Sequence, residues 1–225
     1  MYSREFWDNI YNNHFHDAPW MDDSWKTPVM DRIASDMSRW LGKEPNGRYL
    51  LDYGCGNGHM GVYFLKHQMR VDLADISSVL VKRLHAEFDG KPGVRVYRTD
   101  TPLDLPKSRK YDVIIAWNLF HHLDPSTWHD FLAGFMAKMK VGSLLLISGW
   151  DADDSIIKED HNTAKYTQNA TWFVNDLPEH IGDLPCEMLY NDKLVEPVPV
   201  FTKSRIFRYF IIRKTRKNKQ NNSKQ

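Results

Sequence analysis

Leu50-Leu51-Asp52-Tyr53-Gly54-Cys55-Gly56-Asn57-Gly58 carries the strongest signal in the chain. Arg48 to Tyr53 reads as a strand, and Gly58 to His67 as the helix that follows. Between them, glycines at alternate positions let the backbone turn tightly and approach a ligand with no Cβ in the way. Asp52 sets a carboxylate beside that turn.

Working outward, the same alternation continues. Val71 to Ala74, Val94 to Arg98, Tyr111 to Trp117 and Ser143 to Ser148 read as strands. The run Val113-Ile114-Ile115-Ala116 is apolar without alternation, as expected for a strand covered on both faces. Ser77 can cap a helix carrying Val79, Leu80, Leu84 and Phe88, and a second helix runs from about Thr127 to Met139. Strands alternating with helices predict βαβ units and a parallel sheet. The end differs. Glu187 to Tyr190 and Arg205 to Arg213 read as strands with only a loop between them, which favours antiparallel pairing. Ahead of the sheet, Thr27-Pro28 reads as a helix cap and first helical position. Met30, Ile33, Met37, Trp40 and Leu41 then recur at helical spacing, and Gly42 is the stop.

Ligands of open parallel sheets bind beyond the carboxyl ends of the strands. The residues there are polar: Asp52 with Gly54, Gly56 and Gly58, then Asp75, Asp100 and Asn118. Asp75 suits ribose hydroxyls, and Asp100 stands where an adenine amino group would lie. Together they describe one elongated, nucleoside-like ligand across the sheet. A dinucleotide is the rival. Gly56-Asn57-Gly58-His59-Met60-Gly61 satisfies G-x-G-x-x-G, and Asp75 lies 19 residues after Gly56. Against NAD stand the antiparallel ending and the charge of Asp52, which would repel a pyrophosphate but suits a cationic amino group and sulfonium.

The set resembles the class I S-adenosylmethionine-dependent methyltransferases, small-molecule branch, over about Leu50 to Ser148. Leu50 to Gly58 resembles their first motif and Val71-Asp72-Leu73-Ala74-Asp75-Ile76-Ser77 their second. Arg98-Thr99-Asp100 with Asp104-Leu105-Pro106 resembles the segment after the third strand. Tyr111-Asp112-Val113-Ile114 and Asn118-Leu119-Phe120-His121-His122-Leu123 resemble the fourth-strand motif. Lys140-Val141-Gly142-Ser143 resembles a turn that the family writes Lys-Pro-Gly-Gly. The resemblance implies a Rossmann-like three-layer sandwich with a mostly parallel seven-stranded sheet and a C-terminal antiparallel hairpin. It implies S-adenosyl-L-methionine as cofactor. Asp52, Gly54, Gly56 and Gly58 would hold its methionine moiety, Asp75 the ribose, Ile76 and Asp100 with Thr101 the adenine, and Asn118 the region of the methyl group.

Methyl transfer from a sulfonium asks mainly for alignment in a dry pocket. The catalytic candidates are therefore few: Tyr11, His121, and the pair Trp150-Asp151. A small-molecule acceptor is expected, because the aromatic N-terminus (Phe6, Trp7, Tyr11, Phe15, Trp20, Trp25) and the segment Asp151 to Asp183 are too short for a separate recognition domain. Phe6-Trp7-Asp8 followed by Pro19-Trp20 also resembles the opening of some small-molecule methyltransferases. His14, His16 and Asp17 lack further matching ligands, and no metal site is expected.

The 225 residues, 42% of them hydrophobic, suit one soluble domain. The expected division is a helical aromatic cap over 1–47, a cofactor-binding core over 48–150, a lid and closing hairpin over 151–214, and a disordered tail over 215–225. Two cysteines, Cys55 and Cys186, cannot build a disulfide framework, and no apolar run suggests a membrane span or secretory signal. A cytoplasmic protein is expected. Net charge is +1, yet no acidic residue follows Glu196 while nine basic ones do. Taking those nine from the 30 leaves 21 against 29 acidic residues, so the body carries −8. A basic end can hold nucleic acid, so an RNA or protein acceptor is the alternative. A solvated tail is the simpler explanation. The oligomeric state is not legible.

Overall fold

The computed structural model describes residues 3–13, 26–42, 45–154, 172–196 and 205–216. Its elements are α1 (Arg4–Asn13), α2 (Lys26–Leu41), β1 (Tyr49–Tyr53), α3 (His59–Tyr63), β2 (Arg70–Asp75), α4 (Ser78–Phe88), β3 (Val94–Arg98), β4 (Tyr111–Ala116), α5 (Trp128–Lys138), β5 (Met139–Trp150), β6 (Cys186–Glu196) and β7 (Arg205–Lys214). The strands form one sheet in the order β3-β2-β1-β4-β5-β7-β6. Pairing is parallel from β3 to β5 and antiparallel at β5–β7 and β7–β6. This is the predicted Rossmann-like sheet with its antiparallel finish.

Alternation along the strands sorts the core into two layers. Leu50, Val71, Val113, Ile115, Leu144, Leu146 and Ile211 face α2, α3 and α4, with Met30, Ile33, Met37 and Leu80. Leu51, Ala74, Ile114, Leu145, Ile147 and Ile212 face α5, with Leu132 and Phe135. Central strands buried on both sides need apolar residues throughout, which is why β4 reads as an unbroken apolar run.

Four elements differ from the sequence reading. Strand β5 begins at Met139, so Lys140-Val141-Gly142-Ser143 lies within it, where its register with β4 shifts, and is not a turn ahead of it. Helix α2 begins at Lys26, so Thr27 is not its cap and Pro28 sits in the first turn, where no N–H is required. The segment after the glycine loop is α3 followed by a 3-10 turn over Phe64–His67, closed by Gln68 at φ 57°. Strand β6 continues past Tyr190 to Glu196. Its register shifts between Met188 and Tyr190, and Asn191, Asp192 and Lys193 can face water because β6 is an edge strand. Among the described residues, no helix is long and apolar enough to cross a membrane.

Candidate functional site

The carboxyl ends of β1, β2 and β4 meet around the glycine loop. Gly54, Gly56 and Gly58 all have left-handed φ, at 71°, 54° and 74°. That sequence of turns is open only to glycine at low cost. The loop is pinned to β2, with Gly54 N and Cys55 N both donating to Ala74 O at 2.8 and 3.1 Å. Gly61 serves packing. A Cβ there would lie 2.7 Å from Leu73 Cδ2 and 2.9 Å from Asp52 Cβ, so glycine lets α3 settle against the sheet.

The acidic residues divide by role. Asp52 is buried, and its Oδ2 accepts from Gly61 N at 2.8 Å, bracing the start of α3. Asp75 is buried too; Oδ2 accepts from Gly56 N at 3.3 Å and Oδ1 from Ser77 N at 3.0 Å. Burial raises its pKa to about 6, against the lowering by those backbone donors. Helix α4 is capped by Ser77, whose Oγ accepts from Leu80 N at 3.2 Å. Asp75 is therefore not the helix cap. Ile76, beside it, is half-buried.

Asp100 is exposed and takes both Arg98 nitrogens, Nη1 and Nη2, at 2.9 Å each; that pairing lowers its pKa. An adenine would have to share those oxygens. Thr101 caps the following 3-10 turn in a reciprocal box with Asp104. Asn118 stands after β4 with φ 53°, a left-handed conformation uncommon for a residue other than glycine. Its N donates to Ser148 Oγ at 3.0 Å, and its Oδ1 accepts from that hydroxyl at 2.9 Å.

Helix α1 lies over this cradle. The Tyr11 hydroxyl stands 4.0 Å from the position a Cβ on Gly56 would take. Asp8, which the sequence reading did not single out, accepts from Ser77 Oγ at 2.6 Å and Val79 N at 3.2 Å, tying α1 to the start of α4. From Tyr11 a row of rings leads across the sheet edge. Tyr11 meets Trp7 at 6.2 Å, Trp7 meets His122 at 5.0 Å, and His122 meets His121 at 4.0 Å between centroids. His121 then meets Trp150 at 5.2 Å, and Trp150 stacks on Phe207 of β7 at 4.9 Å. Burial holds His121 well below the ordinary histidine range and His122 at about 4, so both rings are neutral at pH 7. Burial also raises the Cys55 thiol, which stays protonated and unreactive.

Beside the candidate Trp150, Asp151 is ion-paired with β7. Asp151 accepts from Arg208 Nε at 2.6 Å, and Oδ1 from Asp153 N at 2.9 Å. Asp154 accepts from Arg205 Nε at 2.9 Å, both residues fully buried, with the guanidinium 4.0 Å above the Trp150 ring. Thus the basic end is partly an internal feature of β7. His14, Phe15, His16, Asp17, Pro19, Trp20 and Trp25, most of the expected lid, and Lys203, Lys217, Lys219 and Lys224 lie outside the described residues.

The glycine cradle and the buried, backbone-held Asp75 fit S-adenosylmethionine. Residues 27–189 match the methyltransferase-domain family. The malonyl-[acyl-carrier protein] O-methyltransferase of Halalkalibacterium halodurans is 30% identical over 111 residues, 47% of this chain and 40% of that one. The ribosomal protein L11 methyltransferase of Shewanella piezotolerans is 27% identical over 209 residues, 81% of this chain and 65% of that one. The chain thus spans about half the length of the curated relatives it matches. Its fold is shared with 1,6-didemethyltoxoflavin-N1-methyltransferase of Burkholderia thailandensis, solved with S-adenosylhomocysteine. The TM-score is 0.66 at 18% identity, over 95% of this chain and 87% of that one. By family model, fold and cofactor cradle, the chain belongs to the class I S-adenosylmethionine-dependent methyltransferases.

Proposed function

We propose that this protein methylates a small molecule, with the acceptor lodged along the ring row between Tyr11 and Phe207. The row carries this reading: it supplies a ring-lined wall that starts over the glycine loop and ends on β7. Held by Asp52, the glycine loop and Asp75, S-adenosylmethionine would supply a sulfonium methyl group open to in-line displacement. An acceptor lone pair would bond to that methyl carbon as the carbon–sulfur bond broke with its electrons left on sulfur, and the acceptor's proton would pass to solvent.

In this reading Asp52 and the loop at Gly54, Gly56 and Gly58 receive the methionine end. Asp75 accepts from the ribose hydroxyls. Ile76, Asp100 and Thr101 border the adenine, and Asn118 borders the methyl group. Tyr11, over Gly56, shields the methyl group from water. His121, whose burial opposes an imidazolium, can accept a hydrogen bond from the acceptor and so orient its lone pair, while the proton itself passes to solvent. Alignment and exclusion of water together can supply roughly 7–11 kcal/mol of the barrier.

Calorimetry with S-adenosylmethionine and NADH, followed by transfer of a radiolabelled methyl group to an acceptor panel, tests the reading. The expected result is binding of the methyl donor alone and label in a small molecule. Binding of NADH alone would overturn it. A protein acceptor is the second reading, favoured by the similarity to L11 methyltransferases over most of this chain. Label in a protein fraction and in no small molecule would select it.

A further inference from the structure

Among the described residues, three buried nitrogen atoms in this corner find no partner. His121 Nδ1, Trp117 Nε1 and Trp150 Nε1 are shielded from solvent and make no hydrogen bond. Their residues are 2%, 7% and 8% exposed. An unbonded buried donor or acceptor keeps its full desolvation cost, and native proteins hold few of them. Three together at one sheet edge call for a ligand that satisfies them.

Their placement is shared. Trp117 directly follows β4, Trp150 ends β5, and His121 sits in the turn after β4. Val113 and Ile115 on one strand, and Leu144 and Leu146 on the other, bury on the same face as Trp117 and Trp150. The Trp117 ring lies 5.4 Å from Tyr209, which is two residues along β7 from the Phe207 that stacks on Trp150. The face beyond β4 and β5 is therefore walled by rings and edged by polar nitrogens.

The chemistry of those nitrogens narrows what fits. An indole N–H only donates, so its partner must bring a lone pair; the imidazole nitrogen can serve either way. Flat ring walls favour a flat guest by stacking. The charges beside the walls are already paired, Arg205 with Asp154 and Arg208 with Asp151. A cationic amine would find the rings but would leave both indole donors unbonded. A carboxylate would carry a full charge into a corner whose cations are already neutralised.

Building on the proposed function, we propose that the methyl acceptor is a flat, uncharged ring system bearing carbonyl or ring-nitrogen lone pairs. Trp117 and Trp150 are its specificity-determining residues. His121 meets the same edge of the ring.

The test is calorimetry on the full chain saturated with S-adenosylhomocysteine. The probes are 4-quinolone (flat, neutral, with a carbonyl), naphthalene (flat, no lone pair), 2-naphthoate (flat anion) and tetramethylammonium (cation). The quinolone is expected to bind at least tenfold more tightly than each of the others. Trp117→Phe and Trp150→Phe keep a ring and delete the N–H; each should weaken the quinolone about five- to tenfold while S-adenosylhomocysteine affinity stays unchanged. Quinolone binding that is absent, matched by naphthalene or by either ion, or indifferent to both substitutions overturns the proposal and leaves the function standing. Failure of the wild-type protein to bind S-adenosylhomocysteine would instead bring down the function, and this inference with it.

Discussion

The two halves of the sheet edge treat their polar groups in opposite ways. On the β1–β2 side, the buried carboxylates Asp52 and Asp75 are met by backbone N–H groups of Gly61, Gly56 and Ser77. On the β4–β5–β7 side, the buried nitrogens of Trp117, Trp150 and His121 meet no hydrogen-bond partner among the described residues. The first half is finished by its own chain and suits a cofactor shared across a family. The second is left open and suits a ligand particular to this protein. Four measurements bear on that contrast.

The largest effect is expected from the open half's foundation. Arg205 and Asp154 are both fully buried and paired, and the guanidinium lies on Trp150. Arg205→Ala leaves a buried carboxylate without that partner, which costs about 3–5 kcal/mol. Thermal unfolding should show a large drop in Tm. A drop of only a degree or two would mean that the open half does not rest on this pair.

Next comes the finished half. Asp52→Ala and Asp75→Ala should each weaken S-adenosylhomocysteine binding by about 1–3 kcal/mol, the usual loss for a charged hydrogen-bond partner. Trp150→Phe should not alter it. Unchanged affinity in both aspartate variants would erase the distinction between the halves.

This half was also the legible one. Asp52, its glycines and α3 are consecutive in the chain, so a strand–turn–helix pattern exposes them directly. Asp75 likewise ends a strand. The open half is assembled from Trp7, Trp117, Trp150 and Phe207, on four separate segments. No local spacing announces that they meet, although the aromatic density of the N-terminus hinted at a cover. The charge run after Glu196 misdirected in the same way. Arg205, Arg208 and Arg213 sit on β7, and their partners Asp154, Asp151 and Glu187 lie well upstream in the sequence. Counting charges along a chain cannot separate a paired strand from a solvated tail.

The halves should titrate in opposite senses. Burial raises Asp75 to about 6, so its contribution to stability is fully present below the ordinary carboxylate pKa of 3.8 and is lost as pH rises through about 6. Burial lowers His122 to about 4, so its contribution is present above the ordinary 6.5 and is lost as pH falls towards about 4. Tm followed against pH should therefore shift one way in Asp75→Asn and the other way in His122→Gln. Ribose hydroxyls need the ionised Asp75, so cofactor affinity should decline by up to about tenfold per pH unit below about 6. Asp75→Asn should flatten that decline. Asp8, whose charge helps raise Asp75, should move its midpoint downward when replaced by Ala. A midpoint that stays in place would mean that α1 does not sit over the cradle in solution.

The smallest effect is expected at the C-terminus. Of the nine basic residues after Glu196, Arg205, Arg208 and Arg213 are paired with carboxylates, and Lys214 donates to Met136 O and Met139 O at 2.6 and 2.9 Å. What remains for a polyanion is mostly the short stretch beyond Arg216. The field of a single charge is screened over about 8 Å at physiological salt. Deleting residues 217–225 should leave S-adenosylhomocysteine affinity and small-molecule turnover within about twofold, and Tm unchanged, because the paired cations Arg205, Arg208 and Arg213 all precede the deletion. A tenfold loss of methyl transfer to RNA or protein on that deletion, with cofactor binding intact, would shift the acceptor from the ring-walled corner to a macromolecule held by the tail.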